Sequence, residues 1–154
     1  MATPATFQGE PFARLMARFA HGVEVVLQPC PGLVEQVEQG DLHGLLTHQL
    51  LQGYLADLPA RGVDELVLGC THYPFLRPSI EHIVGPAITV IDPAPAVARQ
   101  VQRVWQQLSP QQPATTPPRR FITTGDPAIL QRQLQDLLQL PAPVEFAALE
   151  MITA

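Results

Sequence analysis

A chain of 154 residues can form one ordinary domain, or one and a half small ones, and bury a core without covalent staples. With 46% hydrophobic and 15% charged residues and a mean hydropathy of +0.10, its composition is that of a soluble globular protein and excludes a disordered one. Nine basic residues, all arginine, stand against fourteen acidic ones for a net charge of −5, and no basic stripe is present to displace counterions, which argues against nucleic acid as a partner.

In chain order, residues 11–20 (PFARLMARFA) place Phe12, Leu15, Met16 and Phe19 at helical spacing and predict a helix. GVEVVLQP alternates β-branched residues and predicts a strand over residues 23–27. A helix starts after Pro31 and ends at Gly40, with Leu33, Val34 and Val37 on one face, and a longer one covers residues 42–58. VDELVLG (63–69) reads as a buried strand, YPFLRPSIEHIVG (73–85) as a helix opening with a proline, and AITVID (87–92) as another strand. A helix over 95–108 follows, and then SPQQPATTPPRR (109–120), which can neither continue a helix nor join a central strand and is expected to be an exposed loop. The rhythm then returns with RFITTG (120–125) as a strand, a helix capped by Asp126 with Pro127 at its first position, and VEFAAL (144–149) as a last strand. Strands separated by helices of this length imply an α/β fold, a parallel sheet with helices on both faces.

No apolar stretch approaches the ~20 residues that cross a bilayer, and the first residues lack the charged and apolar regions of a signal peptide, so no membrane partner and a cytoplasmic location are expected. Cys30 and Cys70 are far apart and are expected to be thiols in a reducing compartment. The His residues include no CxxC or HxxxH pair at structural-zinc spacing, so no metal is expected.

Cys70 closes the strand in ELVLGCTHYPFL (65–76), where ligands of open α/β sheets gather. Gly69 lets the backbone pass closely, Pro74 fits the first turn of a following helix, and the amino terminus of such a helix would ease ionisation of the thiol. His72 lies within reach for proton exchange. The stretch reads as a proton-transfer or nucleophile site; the competing reading is a cysteine that only packs.

LVLGCTHYPFL resembles the second catalytic-cysteine motif of glutamate racemase, the cofactor-independent isomerase that supplies D-glutamate for peptidoglycan and so for cell-wall biogenesis and cell shape. The likeness extends to ATPAT (2–6), PCPGLVEQVEQG (29–40), VIDPAPAVARQV (90–101) and FITTGDP (121–127). It implies a two-base mechanism with no cofactor, in which one thiolate takes the α-proton of glutamate and a second thiol delivers a proton to the opposite face. By resemblance Cys70 is one of these two groups, His72 its assistant and also a substrate contact, and Glu38 a carboxylate on the same side of the pocket. Thr71 corresponds to a residue that holds the substrate carboxylate, and Thr3 and Thr6 to a loop that touches the substrate. Cys30 reads as structural.

The resemblance covers only the carboxyl-terminal part of that family. It implies an incomplete two-lobe architecture: residues 1–92 as most of the second lobe, without its opening strand, and residues 93–154 as the returning segment of the first. DPAPA (92–96) departs from the Asp-Ser-Gly more usual at that place. A missing upstream segment, weak or no activity alone, and either self-association or pairing with an amino-terminal segment are the corresponding expectations. The competing functions are an aspartate or hydantoin racemase, a non-catalytic binding module, and a Cys-His hydrolase.

Overall fold

A computed structural model describes residues 1–108 and 118–148. The elements are α1 (Pro4–Gln8), α2 (Glu10–Phe19), α3 (Leu33–Glu38), α4 (Leu45–Leu55), β1 (Glu65–Val67), α5 (Arg77–Val84), β2 (Thr89–Ile91), α6 (Ala94–Leu108), β3 (Phe121–Thr123), α7 (Pro127–Leu138) and β4 (Val144–Phe146). Short 3-10 turns occupy Pro59–Arg61 and Tyr73–Leu76. Most of the loop expected at 109–120 and the end of the strand expected at 144–149 lie outside the described residues.

The chain divides into two compact units, Met1–Gln107 and Leu108–Ala154. Helix α6 starts from a local turn at the end of β2. The Asp92 carboxylate accepts from the Ala94 amide at 2.9 Å, and the Val97 amide donates to the Pro93 carbonyl at 3.0 Å, so α6 grows directly from the end of β2. The same cap accounts for the unusual DPAPA turn.

In the first unit β1 and β2 pair in parallel, with Leu66 opposite Val90. Leu66, Leu68, Ile88 and Val90 point into a core that also takes Leu33 and Val37 of α3, Leu51 and Leu55 of α4, and Ile80 and Val84 of α5. Each such side chain contributes about 1.5–3 kcal/mol by leaving water. The opposite sheet face carries Glu65, Val67 and Thr89, all exposed, so in this chain the described helices cover one face of the pair. The parallel pairing follows from the helical crossover between the strands.

Residues 23–27 form no strand, contrary to the expectation from their alternation. A strand exists only through its partner, and in this region the described contact is one isolated parallel bridge, Ala2 with Pro29. The other shortfalls are at element ends. The helix expected over 42–58 runs only over Leu45–Leu55, because the Asp41 carboxylate takes the Gly44 amide at 2.6 Å and sets the start. The helix expected over 73–85 begins as the 3-10 turn and becomes α-helical at Arg77.

In the second unit β3 and β4 pair in parallel, Phe121 opposite Val144, with α7 between them in sequence. Asp126 caps α7, its carboxylate accepting from the Ala128 amide at 2.8 Å, and Pro127 stands in the first turn as expected. Gln139, at φ 52°, closes the helix, and the Leu140 amide returns to the Leu134 carbonyl at 2.9 Å.

Candidate functional site

Three extended segments of the first unit end side by side. The Ala2 amide donates to the Gln28 carbonyl at 3.1 Å, and the Cys30 amide donates to the Ala2 carbonyl at 3.0 Å. On the other side the Met1 α-amino group donates to the Val67 carbonyl at 2.9 Å, and the Gly69 amide donates to the Met1 carbonyl at 2.8 Å. Thr3, Cys30 and Cys70 each follow directly on one of these ends, the place where ligands collect in parallel α/β sheets. Gly69 is required by the approach itself, since a Cβ there would meet the Met1 carbonyl oxygen at 3.1 Å and the Ala2 methyl at 3.2 Å.

Beyond Gly69 the chain folds at once into the 3-10 turn. The Tyr73 amide donates to the Cys70 carbonyl and the Phe75 amide to the His72 carbonyl, each at 3.2 Å. Tyr73 is fully buried and its hydroxyl donates to the Cys30 carbonyl at 3.1 Å, so the turn is fixed to the neighbouring segment. Burial, with smaller contributions from the two cysteines and other nearby acids, holds the Tyr73 phenol far above its ordinary range and keeps it a donor.

This geometry aims His72 between two acids. Its Nδ1 lies 3.8 Å from the Cys70 Sγ, and its Nε2 lies 3.2 Å from the Glu38 Oε1. Glu38 is the last residue of α3, where the helix dipole disfavours a carboxylate and a neighbouring imidazole offsets the cost. With Glu38 accepting the Nε2 proton, the Nδ1 lone pair of a neutral imidazole faces the thiol and can take its proton, or return it as imidazolium. The α-helix expected directly after Cys70 is absent, because α5 begins only at Arg77. The side chain that faces the thiol is the imidazole.

Cys70 is half-buried and Cys30 is 1% exposed. Desolvation pushes the Cys30 thiol up to about 11, against a smaller lowering by the Met1 ammonium, and its Sγ faces the Gln28 carbonyl at 3.5 Å. Cys30 is thus poorly suited to act as a thiolate. Thr71 is exposed beside Cys70. Thr3 and Thr6 join each other through their hydroxyls at 2.8 Å at the end of the adjacent segment, with no hydrogen bond to Cys70, Thr71 or His72 among the described residues. Sequence reasoning passed over Tyr73 and Ala2 as positioning residues. The pattern HYP marked Tyr73 only as part of a motif, and no local signal marks a two-residue strand stub. Among the described residues no three His, Cys, Asp or Glu side chains gather to hold a metal ion.

No protein-family profile matches the chain. Glutamate racemase of Pseudomonas putida strain KT2440 is 46% identical over 151 residues, which is 97% of this chain and 56% of the relative. Glutamate racemase of Herpetosiphon aurantiacus is 47% identical over 129 residues, 83% of this chain and 51% of the relative. The chain therefore spans about half the length of the curated relatives it matches. Among solved structures, glutamate racemase of Francisella tularensis in complex with D-glutamate superposes with a TM-score of 0.82 at 24% identity, over 99% of this chain and 57% of that one. Glutamate racemase of Thermus thermophilus in complex with β-chloro-D-alanine does so with a TM-score of 0.77 at 27% identity, over 96% and 55%. Nearly the whole chain is similar to a carboxyl-terminal part of glutamate racemases and takes the fold of that part.

Proposed function

We propose that this chain carries one of the two acid/base centres of a glutamate racemase and acts only together with the part of such an enzyme that it does not match. The observation that carries the reading is the Cys70–His72–Glu38 relay at the end of β1, within a stretch similar to racemases along its whole length.

In the forward direction the Cys70 thiolate removes the α-proton of bound glutamate, and the electron pair left at Cα spreads into the adjacent carboxylate. A thiol on the opposite face, supplied by the complementary part, gives its proton to Cα. In the reverse direction the roles exchange. No cofactor enters, since a base held close to its target and dipoles aimed at the developing charge supply the stabilisation. His72 moves the proton to and from Sγ, and Glu38 fixes its tautomer. Thr71 holds the substrate carboxylate with its amide and hydroxyl, and Thr3 and Thr6 line the substrate from the adjacent segment. The role in the cell is supply of D-glutamate for peptidoglycan in the cytoplasm.

The test is conversion of L- to D-glutamate by the purified chain alone, mixed with a separately produced amino-terminal part of the Pseudomonas putida relative, and fused to that part in frame. The chain alone is expected to give little or no turnover. The completed enzyme is expected to turn over, and Cys70→Ser is expected to lower its kcat by about 10²–10⁴-fold, the usual span for a general acid/base. Robust turnover by the chain alone, or a completed enzyme indifferent to Cys70→Ser, overturns the reading.

A further inference from the structure

Tyr73 follows His72 in the chain, yet the two side chains reach opposite ends of α3. The Tyr73 hydroxyl donates to the Cys30 carbonyl at 3.1 Å, ahead of the helix, and the His72 Nε2 meets the Glu38 Oε1 at 3.2 Å, on its last residue. Between the two contacts stand Pro31, Gly32 and the helix itself, six residues and about 9 Å long. The Pro31 ring fixes its own φ, Gly32 turns the chain into the helix at φ 85°, and Leu33, Gln36 and Val37 are buried. Tyr73, His72, Glu38, α3 and Cys30 thus close a ring of covalent and hydrogen-bonded links. The two hydrogen-bonded links differ in strength. The His72 and Glu38 side chains are 31% and 52% exposed, and a pair so open to water is too weak to hold two elements in one geometry. Tyr73 is fully buried, and its bond to the Cys30 carbonyl lies where water cannot take the place of either partner. The next carbonyl along offers a contrast: that of Pro31 accepts from the Tyr54 hydroxyl at 2.8 Å, at an exposed site and from α4, which carries no part of the relay.

We propose that Tyr73 is a positioning residue of the relay: its bond to the Cys30 carbonyl sets the spacing between the turn that carries His72 and the helix that carries Glu38, and so the tautomer that His72 presents to Cys70. With the bond made, Glu38 lies within reach of Nε2 and Nδ1 is left facing the thiol. Without it the register of α3 on the turn falls to non-directional packing and the exposed pair, and neither fixes a ring nitrogen. This role rests on the catalytic reading for the use made of the relay, while its test needs no turnover, so that either can fail alone.

The test reads the histidine ring nitrogens of the isotope-labelled full chain by nuclear magnetic resonance, with His72 assigned by the signals that His72→Gln removes. Above the titration of the imidazole, the parent is expected to show His72 protonated at Nε2 alone and Tyr73→Phe a mixture of both tautomers. Alkylation of Cys70 by iodoacetamide is expected to slow by about fivefold in Tyr73→Phe, the change in population that one net hydrogen bond sustains. Tyr54→Phe, which removes the bond to the next carbonyl, is expected to match the parent in both readouts, and in a Glu38→Gln background Tyr73→Phe is expected to slow alkylation no further. Para-aminophenylalanine in place of Tyr73 keeps a donor at that point and is expected to restore the ring signals and the rate, which decides the matter even where Tyr73→Phe melts without cooperativity. Parent-like ring signals in Tyr73→Phe, the same change in Tyr54→Phe, slowing that persists undiminished in the Glu38→Gln background, or no restoration by the amino analogue overturns the proposal.

Discussion

Two cysteines in one small unit meet opposite environments, and the difference is set by single contacts. Cys70 stands half-buried beside an imidazole, while Cys30 is enclosed and faces a carbonyl. Iodoacetamide on the folded protein is therefore expected to label Cys70 and spare Cys30, as peptide mass mapping will show; Glu38→Gln is expected to slow the labelling of Cys70 without releasing Cys30. Labelling of Cys30 at the rate of Cys70 counts against the relay. The raised Cys30 thiol also gives a sign for alkaline pH. Between its ordinary value of 9.0 and about 11 the unfolded chain loses a proton that the folded chain keeps, so stability falls as pH rises through that window. Denaturant titrations across it are expected to show a shallower loss in Cys30→Ala than in the parent. The motif and the resemblance name Cys70, His72 and Glu38 together, and the structure places the three side chains side by side. Tyr73, whose hydroxyl holds the turn to the Cys30 carbonyl, was not legible in either, because the contact joins residues 43 apart in sequence.

Helices here carry their signals locally and strands do not. Asp126 and Pro127 announce α7 from two adjacent positions, and the cap forms as read. Asp126→Ala is expected to destabilise the unit that holds α7 by about 1 kcal/mol, visible as a lower melting temperature with α7 amides exchanging faster. The strand pattern at 23–27 is as clear as that at 63–69, yet only β1 forms there, since β2 lies beside it and no described segment lies beside the other. Pattern records which face a residue prefers, and pairing is decided by what is present to pair with. Gly69 tests how closely the segments must approach. Gly69→Ala is expected to cost about 1–3 kcal/mol by forcing the added methyl against the Met1 carbonyl and Ala2, with Cys70 reactivity altered as the segment end shifts.

Over the molecule as a whole, apolar surface is left in water on a scale that the sequence pattern does not reveal. α2 buries no residue and exposes Leu15 and Phe19. α6 likewise buries none, and Val97, Val101, Val104, Trp105 and Leu108 line up along it, all exposed. Periodicity identified both helices correctly and could not say whether their apolar faces would be covered. An apolar stripe of that length left in water favours association. Sedimentation velocity is expected to show concentration-dependent self-association that Val101→Arg weakens; a monodisperse monomer with a cooperative melt at all concentrations contradicts this. Trp105 is the single tryptophan of the chain and lies 59% exposed within that stripe. Its emission is consequently an intrinsic optical gauge: a blue shift on mixing with a candidate companion would register the drying of α6, with no dye and no engineered label.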